Sequence, residues 1–235
     1  MIPLRDTNPR RTAPVVNILL IAMNVVMFLW EVGQGPYLER TLAAVAFVPA
    51  RFWAYPFAIV PNAFSVGISM FLHGGWLHLG GNMLYLWIFG DNIEDCLGHG
   101  RYLVFYLLCG GIATFAHAFM NPHSMIPSIG ASGAIAGVLG AYLILFPRAR
   151  VLTIIPIFIF FTIREIPALI VLGLWFVLQL FVGFASLGMP SDVGGVAYFA
   201  HIGGFAAGIV LIALMGGTRP PARPRALPPD RDWRM

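Results

Sequence analysis

Long apolar stretches alternate with short polar ones along this chain, and their lengths are the first indication of its structure. The apolar stretches occupy roughly residues 15–36, 77–94, 102–120, 132–147, 167–188 and 197–216. A helix needs about 20 predominantly apolar residues to cross about 30 Å of hydrocarbon. The pattern therefore predicts an all-α membrane protein in which residues 14–216 form a bundle of six transmembrane helices. The first stretch is longer than the core of a signal peptide and no small-residue cleavage site follows it, so we expect it to remain as an anchor.

The segments outside these helices differ in character. Residues 1–13 and 217–235 are too polar to bury a core, and we expect both to be disordered tails. The connection 37–76 is rich in aromatic residues, which predicts a position at the membrane interface rather than in bulk water. Residues 151–166 are apolar but contain Pro156, so we interpret them as a strand-like or re-entrant interfacial stretch. A further membrane element is the alternative for that stretch.

Composition and charge support a membrane protein and indicate its orientation. Hydrophobic residues make up 59% of the chain and charged residues only 10%, with a mean hydropathy of +0.82, against about 25% charged residues in soluble proteins. All 14 basic residues are arginine. Twelve of them fall on one predicted side of the bundle: Arg5, Arg10, Arg11, Arg101, Arg148, Arg150, Arg164, Arg219, Arg223, Arg225, Arg231 and Arg234. By the positive-inside rule both tails are predicted to be cytoplasmic, and the net charge of +4 reflects topology rather than nucleic-acid binding. Cys96 and Cys109 imply neither a disulfide nor a metal site.

Helix lengths place four polar residues at one depth. Sixteen residues at about 1.5 Å each put Ser132 about 24 Å from Arg148, short of a full bilayer, and the same measure puts His201 about 22 Å from the end of its helix. On the second helix His78 lies about 20 Å from Asp91, with Asn82 one turn below it on the same face. A lone membrane serine usually bonds its own helix or eases packing. Buried His and Asn are functional-site candidates by default, so the four together predict a site.

Small residues explain how two of these helices could meet. The fourth helix carries Gly133, Gly137 and Ala141 at four-residue spacing, and the sixth carries Ala200, Gly204 and Gly208. Such faces let helix backbones approach closely. We expect this packing to bring Ser132 Oγ to the His201 ring, with Ala136 leaving room for the imidazole.

A serine beside a histidine predicts acyl transfer. The hydroxyl becomes a nucleophile when a neighbouring base takes its proton. Ser132 opens its helix, so the helix dipole and its own N–H can stabilise an oxyanion, with His78 and Asn82 as further donors. Asp91, Glu94 and Asp95 lie at the opposite end of the bundle and Asp192 lies in a loop, so we predict a dyad without an acid. The uncharged loop 121–131 and Gly194-Gly195 are expected to frame an entrance for water.

The chain resembles the rhomboid intramembrane serine proteases through three motifs. They are His73-x4-His78-x3-Asn82 on the second helix, Gly130-Ala131-Ser132-Gly133 on the fourth and Ala200-His201-x2-Gly204 on the sixth. The resemblance implies a rhomboid-like six-helix bundle, Ser132 as nucleophile, His201 as general base and an oxyanion hole of His78, Asn82 and the Ser132 N–H. It implies a supporting role for His73, whose alternative is only to shape the loop. We expect Gly130, Gly133, Ala136 and Gly204 to be supporting residues as well. Residues 15–216 are covered.

The resemblance also implies substrates and a location. Single-span membrane proteins would be cut in or near their transmembrane segment, without a cofactor or metal. We expect a multi-pass protein of a bacterial inner (plasma) membrane, with the active site opening to the periplasmic side. Partners would be transmembrane substrates and the lipid bilayer, with no nucleic acid; the sequence leaves the oligomeric state open. The resemblance alone implies that the fifth helix, with Trp175, Phe176 and Phe181, moves as the lateral gate through which a substrate enters.

Two departures and two alternatives stand beside this interpretation. Some rhomboids place an aromatic residue one turn after the serine, under the histidine ring, whereas this chain has Ala136, so His201 must be oriented otherwise. The Trp-Arg pair of the first external loop has only a loose counterpart in Arg51-Phe52-Trp53. One alternative is a catalytically inactive rhomboid-like protein that binds membrane helices. The other is a small transporter or channel, which would call for intramembrane charge or paired broken helices.

Overall fold

The computed structural model describes residues 1–157, 160–187 and 196–218, and helices dominate it. Nine α-helices are present in these ranges: α1 (Val15–Gly33), α2 (Leu38–Val45), α3 (Pro49–Ala54), α4 (Ile59–Ser69), α5 (Trp76–Leu97), α6 (His99–Met120), α7 (Ser132–Leu145), α8 (Ala168–Ser186) and α9 (Tyr198–Leu214). A 3-10 turn (Gly35–Tyr37) precedes α2. Three strands complete the fold: β1 (Ile2–Asp6), β2 (Arg150–Ile157) and β3 (Phe160–Pro167).

The six predicted apolar segments correspond to α1, α5, α6, α7, α8 and α9. Of these, α1, α6 and α8 are long and apolar enough to cross a membrane, whereas α7 and α9 are shorter apolar helices. The chain is thus a mostly helical membrane protein. The expected external connection 37–76 contains α2, α3 and α4.

The strands form an antiparallel sheet in the order β1-β2-β3. The strand-like interpretation of residues 151–166 is confirmed, since β2 and β3 pair from Arg150 opposite Pro167 to Ile157 opposite Phe160. The expected disorder of the first residues is wrong, because β1 pairs with β2 from Ile2 opposite Ile154 to Asp6 opposite Val151. The prediction of a mostly helical fold holds, but the fold is not all-α, because backbone N–H and C=O groups of β1, β2 and β3 pair across strands.

Helix α7 lies at the centre of the bundle and is buried along almost its whole length. Large buried side chains of neighbouring helices surround it, among them Phe89, Tyr102, Tyr106 and Phe205. An apolar helix buried on all sides is the expected core of a membrane bundle. Gly98 has a φ of +76°, and this left-handed conformation lets α6 begin directly after α5.

Candidate active site

Ser132 and His201 are in direct contact. Ser132 is the first residue of α7, and His201 lies in the first turn of α9. His201 Nε2 lies 2.8 Å from Ser132 Oγ, a hydrogen-bonding distance. The histidine is only 8% exposed. A base and a hydroxyl are thus held together out of bulk solvent.

Glycines set the distance between the two helices. A Cβ atom at Gly204 would overlap the carbonyl of Gly133, and one at Gly208 would overlap the carbonyl of Gly137. At Gly133 a Cβ atom would lie 2.6 Å from Ala113 Cβ on α6. The backbones of α7 and α9 therefore touch along the predicted small-residue faces, as is common between membrane helices.

Gly130 shapes the approach to Ser132. Its φ of +126° is one that residues with a side chain rarely adopt. A Cβ atom there would lie 2.9 Å from His78 Nε2 and 3.6 Å from Ser132 Oγ. Glycine is therefore required for both conformation and space. Because of this, the His78 ring reaches the neighbourhood of the Ser132 hydroxyl.

His78 and Asn82 present hydrogen-bond donors at this level of α5. The backbone N–H of Gly74 donates to His78 Nδ1 over 3.3 Å, so in the neutral ring Nε2 carries the proton. Asn82 is 8% exposed, and its Nδ2 has no hydrogen-bond partner among the described residues. The N–H of Ser132, at the start of α7, has no acceptor within its helix. These three groups are the predicted oxyanion donors.

His73 is held by a residue that the sequence did not single out. Both carboxylate oxygens of Glu31, on α1, accept the His73 backbone N–H at 3.1 Å. The His73 and His78 rings lie with centroids 5.2 Å apart. The buried carboxylate therefore fixes the loop that leads into α5. The signal in the sequence was a lone acid within an apolar helix.

Helix α8 holds His201 from the side opposite Ser132. Gln179 Oε1 lies 2.7 Å from His201 Nδ1. The Trp175 ring lies beside the imidazole, with centroids 5.7 Å apart and planes at 36°. Ala136 is fully buried one turn after Ser132. The ring's aromatic neighbour thus comes from α8, while the position one turn after Ser132 holds only the small Ala136.

Two backbone hydrogen bonds hold the 121–131 loop next to the site. Gly130 N–H donates to the Ser69 carbonyl over 2.9 Å, and Ser128 N–H donates to the Phe47 carbonyl over 2.8 Å. A cavity of about 20 Å³ beside Ser132 is lined mostly by small residues, which come from α4, α6, α7, α9 and the loops beside them. Such a cavity has room for one water molecule. The predicted entrance residues Gly194-Gly195 and the acid Asp192 lie outside the described residues.

The carboxylates at the other end of α5 have structural partners. Glu94 accepts the N–H groups of Val16 and Asn17 at the start of α1. Asp95 accepts from Thr12, and Arg10 lies 3.7 Å from Asp91. These contacts account for the acids at this end of the bundle without a role at Ser132.

Comparison with known proteins identifies the family of this chain. Residues 61–218 match the model of the Rhomboid domain. The chain belongs to the rhomboid family. Rhomboid protein 1, mitochondrial, of Saccharomyces cerevisiae is 30% identical over 196 residues, which is 81% of this chain and 50% of that protein. Rhomboid protease GluP of Bacillus subtilis is 32% identical over 212 residues, 86% of this chain and 35% of that protein.

A human relative is similar to this chain to nearly the same degree. Presenilin-associated rhomboid-like protein, mitochondrial, of Homo sapiens is 30% identical over 194 residues, 81% of this chain and 45% of that protein. This rhomboid chain spans half or less of the length of these relatives. Two of the three relatives are named as mitochondrial proteins, and the third comes from Bacillus subtilis.

Proposed function

We propose that this rhomboid is an intramembrane serine endopeptidase that uses Ser132 as nucleophile and His201 as general base. The observation that carries the proposal is the 2.8 Å contact between Ser132 Oγ and His201 Nε2. An imidazole nitrogen at this distance can accept the hydroxyl proton as Oγ attacks a carbonyl carbon. The name of the Bacillus subtilis relative, a rhomboid protease, supports the same reaction class.

The reaction proceeds in two halves. Ser132 Oγ bonds to the scissile carbonyl carbon while His201 Nε2 takes its proton, and His201 then protonates the leaving amine as the C–N bond breaks. Water then adds to the acyl carbon while His201 takes its proton, and His201 returns a proton to Ser132 Oγ as the bond from that oxygen to the acyl carbon breaks. The oxyanion formed in each half accepts hydrogen bonds from the Ser132 N–H, Asn82 Nδ2 and His78 Nε2. The unpartnered Asn82 amide supports this assignment.

The substrates in this proposal are single-span membrane proteins, cut in or near the transmembrane segment. Six of the α-helices would cross the bilayer, with both termini in the cytoplasm and the site opening to the external side. The short length of α7 and α9 supports a site below that surface. Location in a bacterial inner membrane stays a prediction, since mitochondrial proteins stand among the relatives.

Activity in proteoliposomes tests the proposal. A single-span reporter and a fluorophosphonate label are added to the wild type and to Ser132→Ala and His201→Ala. We expect both variants to lose cleavage and Ser132→Ala to lose the adduct. Ser65→Ala is the matched control, because its hydroxyl bonds the carbonyl of Asn62 on α4.

Two results would contradict the proposal in different ways. Cleavage by Ser132→Ala would show that the nucleophile is wrong. A wild type that binds the reporter segment but neither cuts it nor takes the label would favour the inactive, helix-binding alternative.

A further inference from the structure

His201 makes polar contacts through both ring nitrogens. Nε2 faces Ser132 Oγ at 2.8 Å, and Nδ1 faces Gln179 Oε1 at 2.7 Å. Trp175, one turn before Gln179 on α8, lies beside the ring. Serine, histidine and glutamine thus form a chain of hydrogen bonds across three helices.

The amide oxygen decides which nitrogen carries the proton. A carbonyl oxygen has no hydrogen to give, so Nδ1 must be the donor in this contact. In a neutral imidazole the other nitrogen, Nε2, is then the acceptor. This tautomer can take the Ser132 proton, whereas the opposite tautomer would donate to Oγ and could not act as base.

We infer that Gln179 is a positioning residue that holds His201 in its Nδ1-protonated tautomer, the task that a carboxylate performs in a three-residue serine protease site. The inference rests on the proposed function. An amide differs from a carboxylate in one respect: it orients the ring without a negative charge to stabilise the imidazolium. Trp175 limits rotation of the ring on the same side.

Nitrogen NMR measures the tautomer directly and needs no activity. The protein is labelled with ¹⁵N-histidine in nanodiscs, and His201→Asn identifies the His201 signals. We expect a protonated Nδ1 and an unprotonated Nε2 in the wild type. In Gln179→Leu the two tautomers should become mixed. A wild type protonated on Nε2, or a Gln179→Leu spectrum that keeps the wild-type tautomer, would overturn the inference.

Kinetics separate positioning from a merely structural role. Gln179→Leu should lower kcat at least ~10-fold with little change in KM. The loss should stay smaller than the ~10⁴-fold loss seen when the histidine of a serine protease has the wrong tautomer. Gln179→Glu should keep most of the activity, and the acidic limb of its kcat/KM profile should move to higher pH because the carboxylate stabilises the imidazolium. Leu178→Ala, on the exposed side of α8, is the control expected to match wild type.

The role of Gln179 can still be tested if the Gln179→Leu variant does not fold or if the wild type shows no activity. Should Gln179→Leu not fold, as judged by thermal unfolding, the Gln179→Glu profile still tests the inference, and an unshifted limb would overturn it. Wild-type kcat in a folded Gln179→Leu would also overturn it. If the wild type neither cleaves nor binds fluorophosphonate, the proposed function fails, while the NMR experiment still decides the role of Gln179.

Discussion

At the scale of single residues, Asn82 is a buried amide with a donor left unused. Burying a donor without a partner costs about 1–3 kcal/mol, and Asn82 Nδ2 has none among the described residues. A group kept at such a cost is expected to act in the reaction.

Replacing Asn82 should therefore separate activity from stability. We expect Asn82→Ala to slow cleavage about 10²- to 10³-fold, the loss typical of one oxyanion donor. The thermal midpoint in detergent should not fall, because no hydrogen bond of Nδ2 is lost. Rates and midpoints are compared with those of Asn62→Ala, whose exposed amide bonds loop carbonyls. A lower midpoint with an unchanged rate would assign Asn82 to packing.

Glu31 tests how firmly the loop before α5 is held. Its side chain and His73 are each 1% exposed, so removing the carboxylate leaves a buried N–H unpaired. We expect Glu31→Ala to reduce the free energy of unfolding by about 1–3 kcal/mol. Equilibrium unfolding in mixed micelles measures the change, with exposed Glu39→Gln as control. Equal stability of the two variants would show that the loop does not depend on Glu31.

The residues of the site were predictable to different degrees. Ser132, His201, His78 and Asn82 could be placed at one depth from helix lengths alone, because a membrane fixes depth along each helix. Depth does not fix rotation about the helix axis. For that reason nothing in the sequence aimed Gln179 at His201, although a lone amide in an apolar helix was a usable signal for an interhelical hydrogen bond.

At the scale of helices, the contact between α7 and α9 controls the distance from Ser132 to His201. Gly204→Ala would place a methyl group against the Gly133 carbonyl. We expect the helices to move apart, at a cost of about 1–3 kcal/mol for overpacking, and cleavage to fall as the serine and histidine separate. Gly111→Ala on α6 meets no atom within 4 Å and serves as the control. Unchanged stability and rate in Gly204→Ala would mean that the backbones of α7 and α9 are not in close contact at Gly204.

Helices were easier to predict than strands. Apolar runs mark the six long helices directly, but the sheet depends on pairing between Ile2–Asp6 and residues about 150 positions later. Five residues with an arginine and an aspartate show no clear alternation. The backbone hydrogen bonds that make these residues a strand come from β2, far away in the sequence.

At the scale of the whole molecule, β1 connects the start of the chain to the base of the central helix. Tyr142, on α7, donates to Asp6 Oδ2 over 2.5 Å, and Asn92 donates to the same oxygen over 3.1 Å. Burial, with a smaller contribution from nearby Asp91, raises the pKa of Asp6 from its ordinary 3.8 to about 6. The folded state therefore prefers the protonated carboxyl.

This shift gives a pH dependence of known sign. The stabilising contribution of protonated Asp6 is complete below about pH 4 and is lost as the pH rises through about 6, because the unfolded chain releases the proton more readily. Asp6→Asn stays neutral, so its midpoint relative to wild type should be higher at pH 8 than at pH 4.5. Thermal unfolding in detergent at both values measures this difference. A difference independent of pH would show that Asp6 does not titrate in this range.

Topology is the last test at this scale, because the site works in a membrane only if it opens to one side. The proposed arrangement puts the exposed positions Pro9 and Thr218 on one face and exposed His123 on the other. Both native cysteines are buried, so the wild type should resist an impermeant thiol reagent. In sealed vesicles we expect Pro9→Cys and Thr218→Cys to react from the same side and His123→Cys from the opposite side. In the proposed arrangement six crossings separate the two termini, and three separate each terminus from residue 123. Labelling of all three positions from one side would therefore contradict it.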